Sequence, residues 1–427
     1  MDTNKKPTYV VSAPIDTYSG YGARSRDYVK AVIETGKYDV KIMNQRWGET
    51  AWGFCEDHEE WSFLKSHFLP DNKLQGKPDI WSQITIPNEF QAVGNYNIGV
   101  TAGIETTICA GDWIEGMNRM DMNFVSSEHS KKVFQNTQFQ KKGKDGDFQG
   151  NIKLEKPIEV LFEGVNLDIY KKVATKDNTI DLKAIPEQFA YLFLGHWMAG
   201  SLGHDRKNVG YMIKTFFETF KNQKNTPALI LKASIGSASY ISREEILKRI
   251  NNIKKTVNSS NLPNVYVLNG EMSDEEINML YNHPKVKAMV SLTKGEGFGR
   301  PLLEFSVTGK PIIASGWSGQ VDFLHPEMSF LLGGELEKVN PSAANKWLLA
   351  ESSWFKPDPG VVGAIWKDMH KNYKNYVVRG KKQGHHSRAN FSFDNMVKVL
   401  DTKLEEYVPK FAVGVDLVLP ELELLTD

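Results

Sequence analysis

Short apolar runs alternate with amphipathic, helix-like segments along most of the chain. Apolar runs suited to buried strands occur at residues 8–13, 38–43, 80–86, 97–101, 123–126, 157–162, 190–194, 228–232, 265–268, 288–292 and 311–314. Apolar residues at helical spacing follow several of these runs, as with Tyr28, Val29 and Val32 after the first run. Strands that alternate with helices predict parallel sheets, and the series runs through the chain twice. The predicted fold class is therefore α/β, with two Rossmann-like domains.

A polar, weakly patterned stretch between residues 171 and 187 separates the two series of strands. The predicted domains are residues 1–175 and 185–389, and residues 390–427 are expected to provide a helix that crosses back to the first domain. Residues 342–382 have a mostly helical pattern that is broken at residues 357–360. The Lys- and Gly-rich residues 140–150 are predicted to form a surface loop.

Composition and charge narrow the class of protein. The 427 residues are 41% hydrophobic and 24% charged, which is ordinary for a globular chain of two domains. Lysine plus arginine equals aspartate plus glutamate at 52 each, so no overall basic field attracts nucleic acid or an anionic membrane. The only cysteines, Cys55 and Cys109, argue against a disulfide scaffold or a cysteine-based zinc site. No signal-like N-terminus or membrane span is evident, so a cytoplasmic location is expected. The oligomeric state is left open.

The clearest chemistry lies between residues 286 and 314. This segment predicts a buried strand, a loop with three alternating glycines, a short helix and a second strand. Such a loop at the end of a parallel strand presents unpaired amide groups to an anion. Glu296 lies in the loop and Glu304 in the helix. Carboxylates repel phosphate and bind hydroxyls, so the segment favours a ligand with central phosphates and hydroxylated rings on both sides, which is a nucleotide sugar.

A shorter glycine loop, with Gly20 and Gly22, follows the first strand. It lacks one glycine of the dinucleotide-binding fingerprint. Asn44 and Gln45 stand where that fingerprint requires an acidic residue for the ribose, which argues against an NAD site. The two glycines belong either to a ligand loop or to a tight turn.

Two further segments have more than one interpretation. The aromatic-rich residues 46–75 either line an acceptor cleft or pack as a long loop. Asp145 and Asp147 formally match an Asp-x-Asp metal motif, but no strand leads into them and lysines surround them. No metal site is therefore predicted.

In their order and spacing, these motifs resemble the retaining GT-B glycosyltransferases of family 4, the glycosyl transferases group 1 type. Residues 296–304 look like the Glu-x7-Glu signature of that family, and residues 205–208 resemble its phosphate-binding lysine segment. Residues 268–276 resemble the stretch that contacts the nucleotide base. The resemblance is strongest across residues 190–335. It implies two Rossmann-like domains that face a central cleft. The short chain and its frequent Lys and Asn residues are also compatible with a phage gene.

The resemblance also implies roles for individual residues. Arg206 and Lys207 would neutralise the donor diphosphate, and Glu296 would bind the donor sugar and stabilise positive charge at its anomeric carbon. Glu304 would bind the ribose hydroxyls. The donor-binding residues implied in this way are Gly20, Gly22, Gly270, Met272, Gly297, Phe298, Gly299, Glu304, Ser318 and Gly319.

Two departures from the family pattern concern catalysis. The family often has an arginine after the strand that opens the second domain, where this chain has His196, and Arg206 is the expected substitute. Many members also have a histidine in the first domain near the attacked carbon. Here Thr101 and Glu105 are the acceptor-side candidates for that place.

The expected activity is the retaining, metal-independent transfer of a hexosyl or pentosyl group from a nucleotide-diphosphate sugar, such as a UDP-sugar, to an acceptor hydroxyl. The acceptor would be a glycan or another soluble molecule. No cofactor is expected besides the nucleotide-sugar co-substrate. One alternative is a phage enzyme that glycosylates hydroxymethylpyrimidine bases of DNA. Another is a non-catalytic nucleotide-binding protein.

Overall fold

The computed structural model describes residues 6–143 and 145–411. Its strands are β1 (Thr8–Ala13), β2 (Asp39–Asn44), β3 (Ile80–Ile84), β4 (Tyr96–Val100), β5 (Met122–Val125), β6 (Phe139–Lys142), β7 (Phe148–Ile152), β8 (Ile158–Val160), β9 (Ala190–His196), β10 (Ala228–Ser234), β11 (Val265–Leu268), β12 (Val286–Ser291), β13 (Ile312–Ser315), β14 (Phe330–Leu332), β15 (Gly334–Lys338) and β16 (Ser353–Pro357). Its α-helices are α1 (Gly20–Glu34), α2 (Phe54–Asp57), α3 (Gly111–Asn118), α4 (Glu128–Asn136), α5 (Val209–Phe220), α6 (Tyr240–Lys255), α7 (Asp274–Asn282), α8 (Arg300–Ser306), α9 (Pro359–Lys371), α10 (Tyr373–Asn390) and α11 (Phe393–Tyr407).

Two six-stranded sheets organise the chain. The first has the order β2-β1-β3-β4-β5-β8 and the second the order β11-β10-β9-β12-β13-β14. Each pair of neighbouring strands in both sheets is parallel. The predicted α/β class with two parallel sheets is confirmed.

Both faces of the sheets are buried, as parallel sheets require. In β9, Tyr191 and Phe193 pack into one apolar cluster, whereas Ala190 and Leu192 pack into another on the opposite face. This alternation follows from the two-residue period of a strand. The loops that begin at the carboxyl ends of the strands carry the candidate site.

Helix α11 packs against α1 of the first sheet, although it follows the second sheet in the chain. Its apolar face, with Met396, Leu400 and Leu404, is buried in the core of the first sheet. This is where a helix that crosses back is expected to lie, while the exact domain limits stay a prediction.

Two predictions of local structure are wrong. The predicted helix over residues 342–356 is replaced in part by β16, which pairs with β15 in an antiparallel hairpin and buries Trp354. Pairing with a distant segment overrides local spacing here. The predicted surface loop at residues 140–150 contains a second antiparallel hairpin, β6 and β7, with Asp145 and Asp147 exposed near its turn. Helices α3 and α6 have no counterpart among the predicted elements.

None of the helices in the described parts of the chain is both long enough and apolar enough to cross a membrane.

Candidate active site

The glycine loop between β12 and α8 has the predicted order of strand, loop, helix and strand. Gly299, the residue that precedes α8, has a φ of +100°, a left-handed conformation that a side chain disfavours. Pro301 lies in the first turn of this seven-residue helix. Gly309 follows it with a φ of +76°. The chain can therefore reverse sharply at both ends of the helix.

The other glycines of this region allow two backbones to approach closely. A Cβ atom on Gly295 would lie 2.0 Å from the carbonyl oxygen of Glu105, and one on Gly297 would lie 2.2 Å from that of Ala102. Glu105 and Ala102 belong to the loop that follows β4 in the first sheet. The glycine loop thus touches the first domain at positions where no side chain fits.

The turn before α5 fixes Arg206 and Lys207. The buried side chain of Asp205 accepts a hydrogen bond from the backbone N–H of Val209 at 3.1 Å. The backbone N–H of Lys294, next to the glycine loop, donates to the carbonyl oxygen of Arg206 at 2.8 Å. These bonds tie the turn to the loop that carries Glu296.

The three predicted catalytic residues meet in one cluster. Lys207 Nζ donates to both carboxylate oxygens of Glu296, at 2.6 and 2.7 Å. Arg206 Nη1 lies 3.4 Å from Glu296 Oε2 and donates to the carbonyl oxygen of Gly295 at 3.0 Å. The same Nη1 lies 3.3 Å from Oε1 of Glu105, across the cleft. We call Arg206, Lys207, Glu296 and Glu105 the charged cluster.

Burial and charge act in opposite directions on this cluster. Burial raises the pKa of Glu296, but Lys207 and Arg206 outweigh it and hold that pKa below its usual value. Burial lowers the pKa of Arg206, but Glu105 and Glu296 raise it above its usual value. Glu296 is therefore an ionised carboxylate that faces permanent positive charge.

Ser318 and Gly319 hold the backbone of Glu296. Ser318 Oγ accepts a hydrogen bond from the Glu296 N–H at 2.9 Å, and the Gly319 N–H donates to the Glu296 carbonyl oxygen at 3.0 Å. The side chain of Phe298 is buried against Phe323, with ring centroids 5.0 Å apart. What Phe298 can present to a ligand is thus its backbone.

Glu304 has a partner that sequence analysis did not identify. Arg300 Nε donates to Glu304 Oε1 at 2.7 Å, and Arg300 also pairs with Asp27 of α1 in the first domain. Burial, with Asp274 and Asp27 nearby, raises the pKa of Glu304 to about 7, although Arg300 opposes the shift. The four-residue spacing of Arg300 and Glu304 on a helix was a readable signal for their contact. Nothing local pointed to Asp27.

The N-terminal glycines differ from each other in their surroundings. Ser19 caps α1 by accepting from the Gly22 N–H at 2.9 Å, and a Cβ on Gly22 would lie 2.3 Å from the carbonyl oxygen of Thr17. A Cβ on Gly20 would meet open space. Gly22 is therefore required by a tight turn, whereas Gly20 leaves room at the helix start.

The two acceptor-side candidates, Thr101 and Glu105, also differ in their contacts. Glu105 belongs to the charged cluster, through Arg206. Thr101 is fully buried, and its Oγ1 lies at hydrogen-bond distance, 2.9 Å, from the hydroxyl of Tyr21. Of the two, Glu105 is the one that the structure brings to Arg206.

The predicted base-binding stretch lies beside the carboxyl ends of β9 and β10. Lys232 Nζ donates to the carbonyl oxygen of Gly270 at 2.6 Å, and Met272 packs at the edge of an apolar cluster of the second sheet. His196 Nδ1 is 2.9 Å from Ser234 Oγ. Burial, together with Lys207 nearby, lowers the pKa of His196. Within residues 6–143 and 145–411, no group of three or more His, Cys, Asp or Glu side chains is placed to hold a metal ion.

Comparison with known proteins identifies the fold. No protein-family model matches the chain, and no curated protein matches its sequence. Solved structures do match. Sucrose-phosphate synthase from Thermosynechococcus elongatus has a TM-score of 0.60 at 12% identity, covering 94% of this chain and 99% of that chain.

Two more structures give the same result. A glycosyltransferase from Rickettsia africae has a TM-score of 0.59 at 15% identity, over 94% of this chain and 98% of that chain. Anabaena HepE in complex with UDP and glucose has a TM-score of 0.57 at 10% identity, over 94% of this chain and 100% of that chain. The two-domain GT-B fold expected from the motifs is thereby confirmed. Membership of family 4 stays a prediction.

Proposed function

We propose that the protein is a retaining glycosyltransferase that moves a sugar from a nucleotide-diphosphate sugar to an acceptor hydroxyl without a metal ion. The observation that carries this proposal is the convergence of Arg206, Lys207 and Glu296 beside the glycine loop. Arg206 and Lys207 come from the turn before α5, and Glu296 from the loop after β12. This turn and this loop both lie near the carboxyl ends of the strands of the second sheet, where open α/β sheets bind ligands.

The two cations match the charge that sugar transfer creates. Breaking the bond between the anomeric carbon and the diphosphate leaves an anion, and preorganised positive charge at that place lowers the barrier. Arg206 suits bidentate contact with phosphate oxygens, and Lys207 acts as a compact positive charge. Glu296 lies 2.6 Å from Lys207, so a phosphate held by these cations would bring the donor sugar beside this carboxylate.

Glu296 is suited to the donor sugar because it stays ionised. A carboxylate with its pKa held low accepts hydrogen bonds from hydroxyls and stabilises positive charge as it develops at the anomeric carbon. Glu304, which is also buried and lies eight positions after Glu296, is proposed to bind the ribose hydroxyls. Retention follows if the acceptor attacks from the face that the diphosphate leaves, with a departing phosphate oxygen as the base.

The likeness to Anabaena HepE supports the choice of donor class, because that protein was solved in complex with UDP and glucose. A UDP-sugar is accordingly the first donor to test. The transferred group is proposed to be a hexosyl or pentosyl unit.

Thermal unfolding with UDP and a panel of nucleotide sugars tests donor binding. A ligand at about 100 times its dissociation constant adds about 2.7 kcal/mol to the free energy of unfolding, which is an easily measured shift. Release of nucleotide diphosphate from the best donor then reports turnover, with EDTA added to test metal independence. The anomeric configuration of the product, read by NMR, tests retention.

Variants at the charged cluster make the test specific. Lys207→Ala and Glu296→Gln should each abolish most of the turnover. Lys183→Ala, which removes a lysine whose side chain is 92% exposed, is the matched control and should leave turnover unchanged. Unchanged turnover in both cluster variants would refute the proposal.

A further inference from the structure

An aromatic pair lies beside the glycine loop and has no part in the chemistry described above. The rings of Tyr21 and Trp47 are stacked, with centroids 4.0 Å apart and planes 23° from parallel, and both residues are partly exposed. The hydroxyl of Tyr21 bonds with Thr101 Oγ1 at 2.9 Å and accepts from the N–H of Ala102 at 3.3 Å. Ala102 is also the residue whose carbonyl oxygen approaches Gly297. Ala102 therefore connects the aromatic pair to the loop that carries Glu296.

Backbone hydrogen bonds hold a third ring near this pair. Trp52, with 41% of its surface exposed, forms an isolated antiparallel bridge with Thr17. The neighbouring Tyr18 N–H donates to the carbonyl oxygen of Ala51 at 3.1 Å. The guanidinium of Arg46 lies 5.2 Å from the centre of the Trp52 ring. We call Tyr21, Trp47 and Trp52 the aromatic surface.

The aromatic surface lies at the edge of the first sheet where ligands are expected. Tyr21 follows β1, Trp47 and Trp52 follow β2, and the contacting Thr101 follows β4. All three connections begin at carboxyl ends of parallel strands, and open α/β sheets bind ligands outside those ends. Aromatic side chains with a few polar groups are the usual lining of small-molecule sites.

The charge of the segment that carries Trp47 and Trp52 favours one class of ligand over another. Residues 46–67 contain two cations besides their histidines, Arg46 and Lys65. The carboxylates of the same segment are Glu49, Glu56, Asp57, Glu59 and Glu60. A segment rich in carboxylates repels the phosphates of a nucleic acid, whose binding depends on lysine and arginine. Carboxylates and flat rings suit a neutral ligand with hydroxyl groups around an apolar ring face.

We propose that the aromatic surface is the acceptor subsite and that the acceptor is a saccharide whose ring stacks on Trp47. This inference rests on the proposed function, since it names the acceptor of that reaction. An acceptor hydroxyl oxygen forms a bond to the anomeric carbon of the donor while the bond from that carbon to the diphosphate oxygen breaks. The acceptor proton passes to the departing diphosphate.

The test uses the full chain with two probes, maltose and a short DNA duplex that contains 5-hydroxymethylcytosine. Binding of each is measured by saturation-transfer NMR or fluorescence titration, with UDP present. The variants are Trp47→Ala, Trp47→Phe and, as a matched control, Phe63→Ala. Phe63 is an exposed aromatic residue of the same segment, and its ring stacks on Trp61 instead of Tyr21.

The expected result is saturable maltose binding in the millimolar range that weakens about tenfold or more in Trp47→Ala, in line with the loss of one stacked aromatic contact. Trp47→Phe should retain part of the binding, and Phe63→Ala all of it. The UDP-induced thermal shift should be the same in all four proteins, which separates loss of the subsite from unfolding. Binding of the duplex in place of maltose would overturn the proposal, as would maltose binding that is absent or insensitive to Trp47→Ala. A wild-type protein that shows no shift with UDP or with any nucleotide sugar of the panel would instead count against the proposed function itself.

Discussion

Lys207 donates two hydrogen bonds to one carboxylate, that of Glu296, at 2.6 and 2.7 Å, across 89 residues of sequence. Both side chains are largely buried. A buried ion pair adds little stability compared with an apolar pair, but removal of one partner leaves the other charge uncompensated. The pair is therefore better suited to binding a ligand's charges than to stabilising the fold.

Lys207→Ala should lower the free energy of unfolding by about 3 kcal/mol, near the low end for breaking a buried pair, because Arg206 remains close to Glu296. The double variant Lys207→Ala/Glu296→Gln should lose less than the sum of the single variants, since it leaves no unpaired carboxylate. Urea denaturation of the four proteins measures this coupling. Strictly additive losses would show that the two side chains do not interact.

Gly297→Ala should keep the cleft from closing, because the new Cβ would lie 2.2 Å from the carbonyl oxygen of Ala102 in the first domain. We expect a destabilisation of about 1–3 kcal/mol from overpacking and a loss of turnover of about 100-fold from misplaced groups. Gly76→Ala is the control, since its Cβ would meet open space. Denaturation and donor-turnover assays check the two effects. Normal turnover in Gly297→Ala would mean that the contact of the two domains at this loop is not needed.

The buried carboxyl of Glu304 should make stability depend on pH. Its pKa is raised to about 7 in the folded chain, against 4.5 for the unfolded residue. Below the lower value both states are protonated. As the pH rises to about 7, the unfolded state gains stability by ionising first, so the folded state loses about 3 kcal/mol in total.

Glu304→Gln removes this loss. Its free energy of unfolding relative to wild type should therefore rise between about pH 4.5 and pH 7 and level off above that range. Chemical denaturation across the pH range measures the difference. A difference that does not change with pH would show that Glu304 ionises normally in the folded chain.

Arg300 and Asp27 should shift the pKa of Glu304 in opposite directions. Arg300 holds that pKa down and Asp27 raises it, so Arg300→Gln should move it above about 7 and Asp27→Asn should move it lower. Carbon-13 NMR titration of the Glu304 carboxyl reports each shift. Shifts of the same sign in both variants would contradict the arrangement seen across the two domains.

Gly20 and Gly22 should respond differently to alanine, although both belong to the first turns of α1. Gly20→Ala should stabilise the protein by up to about 1 kcal/mol, because alanine is the better helix former and its Cβ meets open space. Gly22→Ala should destabilise it, because a Cβ there would lie 2.3 Å from the carbonyl oxygen of Thr17. Thermal unfolding of both variants measures the contrast, and equal effects would contradict the tight turn at Gly22.

The sequence by itself determined those strands, helices and turns that depend on the spacing of apolar residues or on turn-forming residues within one segment. The parallel strands and the glycine loop before α8 were both predictable, because each depends on residues within a few positions of one another. The candidate residues Arg206, Lys207 and Glu296 were also named from local motifs.

The tertiary structure alone decided which of these residues meet and which additional ones join them. Glu105 contacts Arg206, and Asp27 contacts Arg300 from 273 residues away. The ring of Trp47 stacks on Tyr21 beside the glycine loop. The hairpin of β15 and β16 was missed for the same reason. Contacts of this kind depend on how sheets and loops pack, and no periodicity within a single segment encodes them.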